Sequence, residues 1–254
     1  MKFSIVTITF QAEQVVQLTL DSVLAQSYPD IEHLIVDGAS TDGTLALVEA
    51  YSRRSEADAN GHTVVVLSEP DKGIYDAMNK GLRMATGDYI VFLNAGDYFP
   101  ESDTLMKVAE RATDRPAVIY GDTAIVDDKG QFLHLRRLRP PKVLSWRSFR
   151  QGMLVCHQAF YARLDLAREI PYDHEHYKYS GDVDWCIRVM KAAAQQKLPL
   201  RFVEAVIVNY TEEGATTRHH RESLRERYQV MCRHYGRIST LFMHLWFAVR
   251  SLLR

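Results

Sequence analysis

The sequence predicts an α/β protein with a mostly parallel sheet, helices on both of its faces and a helical extension at the carboxyl end. Two observations predict this fold. The apolar residues alternate along the chain between strand spacing and helical spacing, and the predicted strands are rich in β-branched residues. Strands and helices that alternate in this way form right-handed units whose strands lie parallel in one sheet.

The first hundred residues show this alternation most regularly. Strands are predicted over residues 3–9, 32–36, 63–67 and 89–93, and helices over residues 13–26, 44–53 and 74–85. The fourth strand shows no alternation of polar and apolar residues. It is therefore expected to be buried on both faces of the sheet.

The second half is less regular. Strands are predicted over residues 118–120, 124–126, 131–135 and 201–208, and helices over residues 182–196 and 222–235. The segment 127–130 has the composition of a hairpin turn. Because the sequence contains no low-complexity linker, we expect both halves to share one body.

The composition is that of an ordinary globular protein, with 46% hydrophobic and 25% charged residues among 254. It excludes disorder and a collagen-like structure. The formal net charge of −1 gives no basic field for nucleic acid, so no nucleic-acid partner is expected. The three cysteines lie far apart without a C-x-x-C pair, which disfavours a disulfide framework or zinc site and favours a reducing compartment.

Two kinds of membrane-related segment are not expected. The apolar segment 1–10 is short, contains one Lys and lacks a small-residue cleavage site. It therefore predicts a buried first strand and not a signal peptide. No apolar run is both long enough and free enough of charge to predict a secure membrane span.

Polar side chains follow the predicted strands of the first half where each strand ends. Ligands of parallel α/β sheets bind outside the carboxyl ends of the strands. These ends fall near residues 9–11, 37–38, 68–71 and 94–97, and three of the four carry or adjoin carboxylates. The sequence therefore predicts a ligand site at this edge of the sheet.

Two of these loops have a functional and a purely structural interpretation. Asp37 could accept hydrogen bonds from a nucleobase or a ribose, but its loop also fits a capped turn without a ligand. Asp97 could bind Mg²⁺ or Mn²⁺, with Asn94 orienting it or touching ribose. The alternative for Asp97 is a turn residue that caps the helix beginning near Asp103.

A third acidic segment opens the predicted helix after residue 181. Asp182 and Asp184 are two residues apart, so on a helix they point in different directions and only one can face a shared cleft. A carboxylate near a helix N-terminus has its charged form favoured. It could act as a general base on an acceptor hydroxyl, or it could simply cap the helix.

Together these segments resemble the GT-A inverting glycosyltransferases of family 2 over about the first 210 residues. The most specific match is the segment 71–81, which is similar to the family's Gly-x-x-x-Ala-x-Asn segment. Segment 7–11 is similar to the family's first strand, whose aromatic residue packs on the base. The segments 36–40 and 156–158 resemble the bacterial subgroup that builds surface polysaccharides of the colanic-acid type.

The resemblance implies a metal-dependent, inverting transfer from a nucleotide-diphosphate sugar, with a UDP-sugar favoured. The acceptor would be a hydroxyl of a growing, lipid-linked bacterial surface polysaccharide. The implied site has Asp182 as catalytic base, Asp97 as ligand of Mn²⁺ or Mg²⁺, donor contacts at Thr9, Phe10, Asp37, Asp71, Lys72, Asn79, Asn94 and His219, and acceptor contacts at His157 and Gln158.

The resemblance also implies a division of the chain. A GT-A (Rossmann-like) domain would cover residues 1–215, with a nucleotide-binding half over 1–100 and an acceptor half over 101–215, followed by a tail over 216–254. The chain departs from the family pattern at Asn94 and Gly96, where many relatives have Asp, and at Gly181, where Glu is common. Asp97 is then the one carboxylate retained in its loop.

Several alternatives remain open. His157 follows an apolar run, so a hydrogen-bonded core histidine fits as well as an acceptor contact. The loop 216–220 could close on the diphosphate or be an ordinary exposed loop. The altered metal motif also fits a non-catalytic protein that binds a nucleotide sugar or scaffolds polysaccharide assembly. A nucleotidyltransferase is disfavoured because no Gly-rich, basic phosphate loop lies near the first strand.

The tail 237–254 combines arginines with apolar and aromatic residues at helical spacing. This pattern predicts attachment to an anionic membrane surface, and it also fits a helix that packs on the domain or on a second subunit. With the resemblance, it favours a cytoplasmic protein, peripheral at the cytoplasmic face of the inner membrane.

Overall fold

The computed structural model describes residues 1–58, 60–211 and 220–252. Eight strands lie in the described part of the chain. They are β1 (Phe3–Thr9), β2 (Ile31–Asp37), β3 (Thr63–Ser68), β4 (Tyr89–Phe92), β5 (Val118–Val126), β6 (Phe132–Leu135), β7 (Phe160–Arg163) and β8 (Leu200–Thr211). All eight belong to one sheet.

The helices follow the strands in the predicted alternation. The α-helices are α1 (Val16–Leu24), α2 (Thr44–Asp58), α3 (Ile74–Met84), α4 (Thr104–Ala109), α5 (Leu164–Arg168), α6 (Gly181–Gln195), α7 (His220–Tyr235) and α8 (Arg237–Leu252). Two short 3₁₀ helices, Trp146–Gln151 and His157–Ala159, precede β7. No helix within the described ranges has the length and apolar character needed to cross a membrane.

The sheet is mixed, with its parallel part in the first half of the chain. Its strand order is β3-β2-β1-β4-β7-β5-β6, and β8 also pairs with β5. Strands β1 to β4 are parallel to one another, and so are β5 and β8. Strand β7 is antiparallel to both of its neighbours, β4 and β5. The predicted α/β class with a mostly parallel sheet is confirmed.

Helices cover both faces of the parallel strands. On β2, Ile35 packs in a cluster with Leu20 of α1 and Val48 of α2. Its neighbours Leu34 and Val36 belong to a second cluster, which contains residues of α3. Since successive strand residues point to opposite faces, α1 and α2 lie on one face and α3 lies on the other. Strand β4 is buried along its whole length, as predicted.

The structure corrects the predicted strands of the second half at two places. Residues 118–120 and 124–126 belong to one strand, because Asp122 between them stays in the sheet and pairs with Arg139 at 2.7 Å. That ion pair lets a carboxylate lie buried within a strand. Strand β7 and helix α5 were not predicted, and β7 inserts between β4 and β5.

Candidate active site

The carboxyl ends of β1, β2 and β3 meet at Asp37. The strand register places Thr9 beside Asp37 and Asp37 beside Ser68. The Asp37 carboxylate accepts hydrogen bonds from the hydroxyls of Thr9 and Ser68, at 2.9 and 2.8 Å, and from the backbone N–H and hydroxyl of Ser40. Burial raises the pKa of Asp37, but these hydrogen bonds more than offset it, so its net pKa is lowered and the group is ionised.

An exposed aromatic ring stands next to this buried carboxylate. Phe10, the residue after β1, is 65% exposed. A Cβ placed on Gly38 would lie 2.6 Å from the Asp71 carboxylate and 3.2 Å from the Phe10 ring. Because Gly38 has no side chain, the Phe10 ring and the Asp71 carboxylate can both lie close to its backbone. Lys72, the next residue after Asp71, is exposed. This arrangement can hold a flat, polar ligand against the ring.

The loop after β4 is held from several sides. The hydroxyl of Thr19 on α1 accepts from the Gly96 N–H at 2.9 Å and donates to the Asp97 carbonyl at 2.7 Å. Gly96 has φ +96°, a conformation that favours glycine. The Asp97 carboxylate accepts from the Gln158 side-chain amide at 2.6 Å and from the Thr211 backbone N–H at 3.2 Å. Asp97 thus joins the loop to the second half of the chain.

Asp97 has an unusual charge environment. Burial raises the pKa of Asp97 to about 7, although the hydrogen bonds from Gln158 and Thr211 and the charge of His157 act in the opposite direction. Within the described residues it forms no ion pair with Lys or Arg. Its ionised form is therefore poorly compensated, which is the situation in which a bound cation stabilises a carboxylate.

The donor atoms of this loop suit a hard cation, but they are few. Asn94 Oδ1 is buried and has no hydrogen-bond partner. With Asp97 it offers a carboxylate and an amide oxygen, the kinds of ligand that Mg²⁺ and Mn²⁺ take. In the described part of the chain, no group of three or more His, Cys, Asp and Glu side chains could hold a metal. A cation here would therefore need oxygen atoms from its substrate to complete its coordination.

Asp182 in the first turn of α6 lies at the centre of a chain of polar contacts. Its Oδ1 accepts from the Tyr75 hydroxyl at 3.1 Å, and its Oδ2 lies 3.4 Å from His157 Nδ1. The other ring nitrogen of His157, Nε2, lies 3.2 Å from the Asn94 amide nitrogen. With a proton on Nδ1, His157 donates to the Asp182 carboxylate, and its Nε2 lies within hydrogen-bond distance of the Asn94 amide.

The Asp182 side chain is 17% exposed, so it is mostly enclosed but remains open to a small partner. Burial raises its pKa, but the hydrogen bond and charge of His157, together with Arg227 and the Val183 N–H, lower it further than burial raises it. The net effect is a lowered pKa. Asp182 is therefore ionised at neutral pH and able to accept a proton.

Asp184 points away from Asp182, as the helical spacing predicts. It is fully buried and accepts hydrogen bonds from Arg188 at 2.6 Å and from His234 of α7 at 2.8 Å. Its partners therefore fasten α7 to α6. Of the two carboxylates, Asp182 alone faces the contacts with Tyr75 and His157.

Glu226 on α7 supports the start of α6, and no pattern in the sequence indicates this role. Its carboxylate accepts from the backbone N–H groups of Lys178, Tyr179 and Ser180, at 3.0, 2.7 and 3.0 Å. These residues directly precede the helix that contains Asp182. Glu226 is one of several charged residues in a polar helix, and nothing in that pattern indicates its distant partner.

Replacing Glu226 with Ala should lower stability by about 1–3 kcal/mol, because three backbone donors lose a charged acceptor. If Asp182 is the catalytic base that the family resemblance implies, the turnover number should fall while the donor KM stays close to that of the unchanged protein, because Asp182 loses its fixed position. Urea unfolding and steady-state kinetics measure the two effects. Glu226→Gln keeps one oxygen acceptor, so its stability and turnover number should lie between those of the unchanged protein and of Glu226→Ala. An unchanged turnover number in Glu226→Ala would contradict a positioning role.

Other residues predicted to contact a ligand occupy supporting positions. Asn79 is buried, and its amide donates to the Tyr172 carbonyl at 2.9 Å and accepts from the Tyr172 N–H at 2.8 Å. Gln158 is also buried and donates to Asp97. These contacts hold backbone and carboxylate in place within the protein. His219 and the loop 216–219 lie outside the described residues.

Comparisons with known sequences give consistent results. The family model described as glycosyl transferase family 2 matches residues 4–170. A "PGL/p-HBAD biosynthesis glycosyltransferase" of Mycobacterium tuberculosis is 32% identical over 217 residues, which cover 84% of this chain and 77% of that protein. The "Amylovoran biosynthesis glycosyltransferase AmsB" of Erwinia amylovora is 32% identical over 200 residues, covering 74% of this chain and 64% of that protein.

Solved structures share the fold. TarS 1-349 of S. aureus in complex with UDP-GlcNAc matches with a TM-score of 0.72 at 18% identity, covering 97% of this chain and 73% of that one. The mannosyltransferase PcManGT of Pyrobaculum calidifontis in complex with GDP-Man and Mn²⁺ matches with a TM-score of 0.65 at 18% identity, covering 96% and 70%. These likenesses confirm the predicted GT-A architecture.

Proposed function

The chain belongs to glycosyl transferase family 2, and on that premise we propose that it transfers a hexose from a nucleotide-diphosphate sugar to a hydroxyl of a growing polysaccharide, with inversion at the anomeric carbon. One observation supports this most directly. The ionised Asp182 contacts both Tyr75 of α3 and His157, and His157 in turn contacts Asn94 of the loop after β4.

The donor nucleoside is proposed to lie at the ends of β1 to β3. Phe10 stacks on the base and Asp71 accepts hydrogen bonds from base or ribose, with Lys72 beside it. Asp37, expected from the sequence to contact the base or ribose, is fully buried and accepts hydrogen bonds from Thr9, Ser40 and Ser68, so it shapes this end of the sheet from within. Thr9 fixes Asp37, and Asn79 holds the chain around Tyr172. A UDP-sugar is favoured, and the UDP-GlcNAc complex of TarS, which has the same fold, supports that choice.

The diphosphate is proposed to bind near the loop after β4 together with Mn²⁺ or Mg²⁺. Asp97 would hold the cation, with Asn94 in a supporting role. When bound, such a cation neutralises the diphosphate and makes it a better leaving group. The poorly compensated charge of Asp97 and the unpartnered Asn94 oxygen support this assignment, as does the Mn²⁺ complex of PcManGT. His219 is proposed to contact the same diphosphate.

The transfer itself is proposed to be a single displacement. Asp182 takes the proton from the acceptor hydroxyl while its oxygen bonds to the anomeric carbon, and the bond to the nucleoside diphosphate breaks on the opposite face. His157 orients Asp182 and borders the acceptor. Gln158, predicted as an acceptor contact, acts through its hydrogen bond to Asp97.

The acceptor is proposed to be a lipid-linked saccharide of a bacterial surface polysaccharide, used at the cytoplasmic face of the inner membrane. Two observations support this. AmsB is named for amylovoran biosynthesis, and the other sequence relative is named for PGL/p-HBAD biosynthesis. In addition, α8 presents large apolar side chains to the outside of the protein.

The proposal is tested by incubating the purified chain with a panel of UDP-sugars and Mn²⁺ and measuring released UDP. We expect UDP release with at least one sugar and a rise in melting temperature with the same compound. The altered loop at Asn94 and Gly96 favours one alternative, a non-catalytic protein that binds nucleotide sugars. That protein would show the rise in melting temperature without any release of UDP.

Replacing Phe10 with Ala should weaken nucleotide binding, because the ring that stacks on the base is lost. Stacking of this kind contributes roughly 1–3 kcal/mol, or about one to two orders of magnitude in Kd. Isothermal titration with UDP measures the change. Phe132→Ala is the matched control, since Phe132 is 63% exposed on β6, which lies four strands beyond β1 in the sheet order. Equal affinities in the two variants would contradict stacking on Phe10.

A further inference from the structure

Helix α8 has a continuous apolar face that no part of the described chain covers. Five large side chains on it are each between 53 and 75% exposed: Ile238, Leu241, Phe242, Leu245 and Trp246. Their spacing of three and four residues places them along one side of the helix. We call this face the α8 stripe. With 16 residues, α8 is about 24 Å long, so the stripe is an extended surface.

A basic pocket adjoins the α8 stripe. A cavity of about 350 Å³ lies between α8 and the 3₁₀ helix Trp146–Gln151, and its lining includes Arg147, Arg150 and Trp246. Arg150 donates to the Ser239 hydroxyl at 2.7 Å, and the Arg147 guanidinium lies 4.4 Å from the centre of the Trp146 ring. Neither arginine forms an ion pair with any carboxylate in the described ranges. The pocket therefore offers two positive charges to a ligand.

The charge of this surface is of one sign. The segments 146–151 and 237–247 contain three arginines and no Asp or Glu. A symmetric contact between two copies through this face would bring arginines close to arginines, which disfavours a second copy as its occupant. An anionic surface with an apolar interior complements both the charge and the stripe.

We propose that the α8 stripe and the Arg147–Arg150 pocket together form a docking site for an anionic phospholipid bilayer. The stripe lies in the plane of the membrane interface with its apolar side chains among the acyl chains, and the two guanidinium groups bind a headgroup phosphate. Trp246 belongs to both the α8 stripe and the pocket. Its indole ring would lie at the membrane–water interface, where tryptophan side chains are enriched. The inference rests on the proposed use of a lipid-linked acceptor.

The docking site is connected to the candidate active site. Tyr235 at the end of α7 stacks on Trp146, with ring centres 5.8 Å apart. The same helix supplies Glu226 to the start of α6 and His234 to Asp184. A bilayer that binds α8 would therefore lie beside α7, the helix that supports α6 and its residue Asp182. Lipid-linked acceptors would then be concentrated beside the candidate active site.

Co-sedimentation with vesicles tests the proposal. The full chain should bind vesicles of phosphatidylcholine with about 30% phosphatidylglycerol and bind pure phosphatidylcholine much more weakly. Each basic residue near an anionic surface contributes about fivefold, so Arg147→Gln with Arg150→Gln should lower the partition coefficient about 25-fold. Phe242→Ser with Trp246→Ser should remove binding to both vesicle types. Phe132→Ser, an exposed aromatic on β6, should bind like the unchanged chain.

Three outcomes would overturn the proposal. They are equal binding by the double-arginine variant, binding unaffected by the serine substitutions, and no binding of the unchanged chain to the anionic vesicles. In the last case, a dimer in sedimentation velocity that Phe242→Ser dissociates would identify a second copy as the occupant of the stripe. UDP release from a UDP-sugar, measured without vesicles, separates this proposal from the proposed function. A chain that releases UDP but does not bind vesicles contradicts the docking site alone. A chain that binds vesicles but releases no UDP contradicts the transferase proposal alone.

Discussion

Replacing Asp182 with Asn should lower the rate of sugar transfer by roughly 10²–10⁴-fold and leave nucleotide binding almost unchanged. The amide has nearly the same shape, and its oxygen can still accept from Tyr75. It cannot take up the proton of the acceptor hydroxyl. Since a base acts on the transition state and not on the bound donor, kcat should fall while the UDP affinity persists.

Steady-state kinetics and isothermal titration with UDP measure the two effects. Asp165→Asn is the matched control, because Asp165 is also an acid in the first turn of a helix but is exposed beside Arg163. It should keep the full rate. An Asp182→Asn protein that transfers sugar at the normal rate would reject Asp182 as the base. His157, whose Nδ1 lies 3.4 Å away, would then be the next residue to test.

The parallel part of the fold could be predicted because its signals are local. Strands β1 to β4 are apolar runs separated by helices with one buried face, and both patterns are visible within a few residues. The sequence predicts two strands where the structure has the single strand β5, because Asp122 interrupts the apolar pattern. Its compensating partner, Arg139, lies 17 residues further along the chain, so only the folded structure shows that the carboxylate is paired.

The edge of the sheet that holds the candidate site could also be predicted, since the ends of parallel strands meet there. The individual contacts could not. Tyr75 and Asp182 are 107 residues apart, and Glu226 is 46 residues from Ser180. Burial likewise depends on packing between distant segments. This is why Asn79 and Gln158, predicted to touch ligands, bond to the protein itself.

Replacing Asp97 with Asn should stabilise the protein progressively as the pH rises from about 4 to about 7. The folded pKa of Asp97 is raised from 3.8 to about 7. Below pH 3.8 the Asp97 carboxyl is protonated in both the folded and the unfolded chain, so its burial adds no pH-dependent loss of stability. Between the two values the unfolded chain ionises while the folded chain stays protonated, so the native protein loses on the order of 4 kcal/mol of stability, which the non-titrating variant keeps.

Urea unfolding of both proteins across this pH range measures the difference. Asn at this position also changes the hydrogen bond with Gln158, but that cost does not depend on pH and shifts the whole curve without changing its slope. A difference that stays constant with pH would contradict the raised pKa.

Adding Mn²⁺ with UDP tests the metal assignment in the same experiment. A cation on Asp97 favours the ionised carboxylate, so it should stabilise the unchanged protein more at about pH 8 than at about pH 5. The Asp97→Asn variant should gain little from Mn²⁺ beyond the effect of UDP alone. Because this readout is stability, it does not require a known acceptor. If Mn²⁺ and UDP stabilise both proteins equally at about pH 8, Asp97 does not bind the metal, and its role is to join the loop after β4 to Gln158 and Thr211.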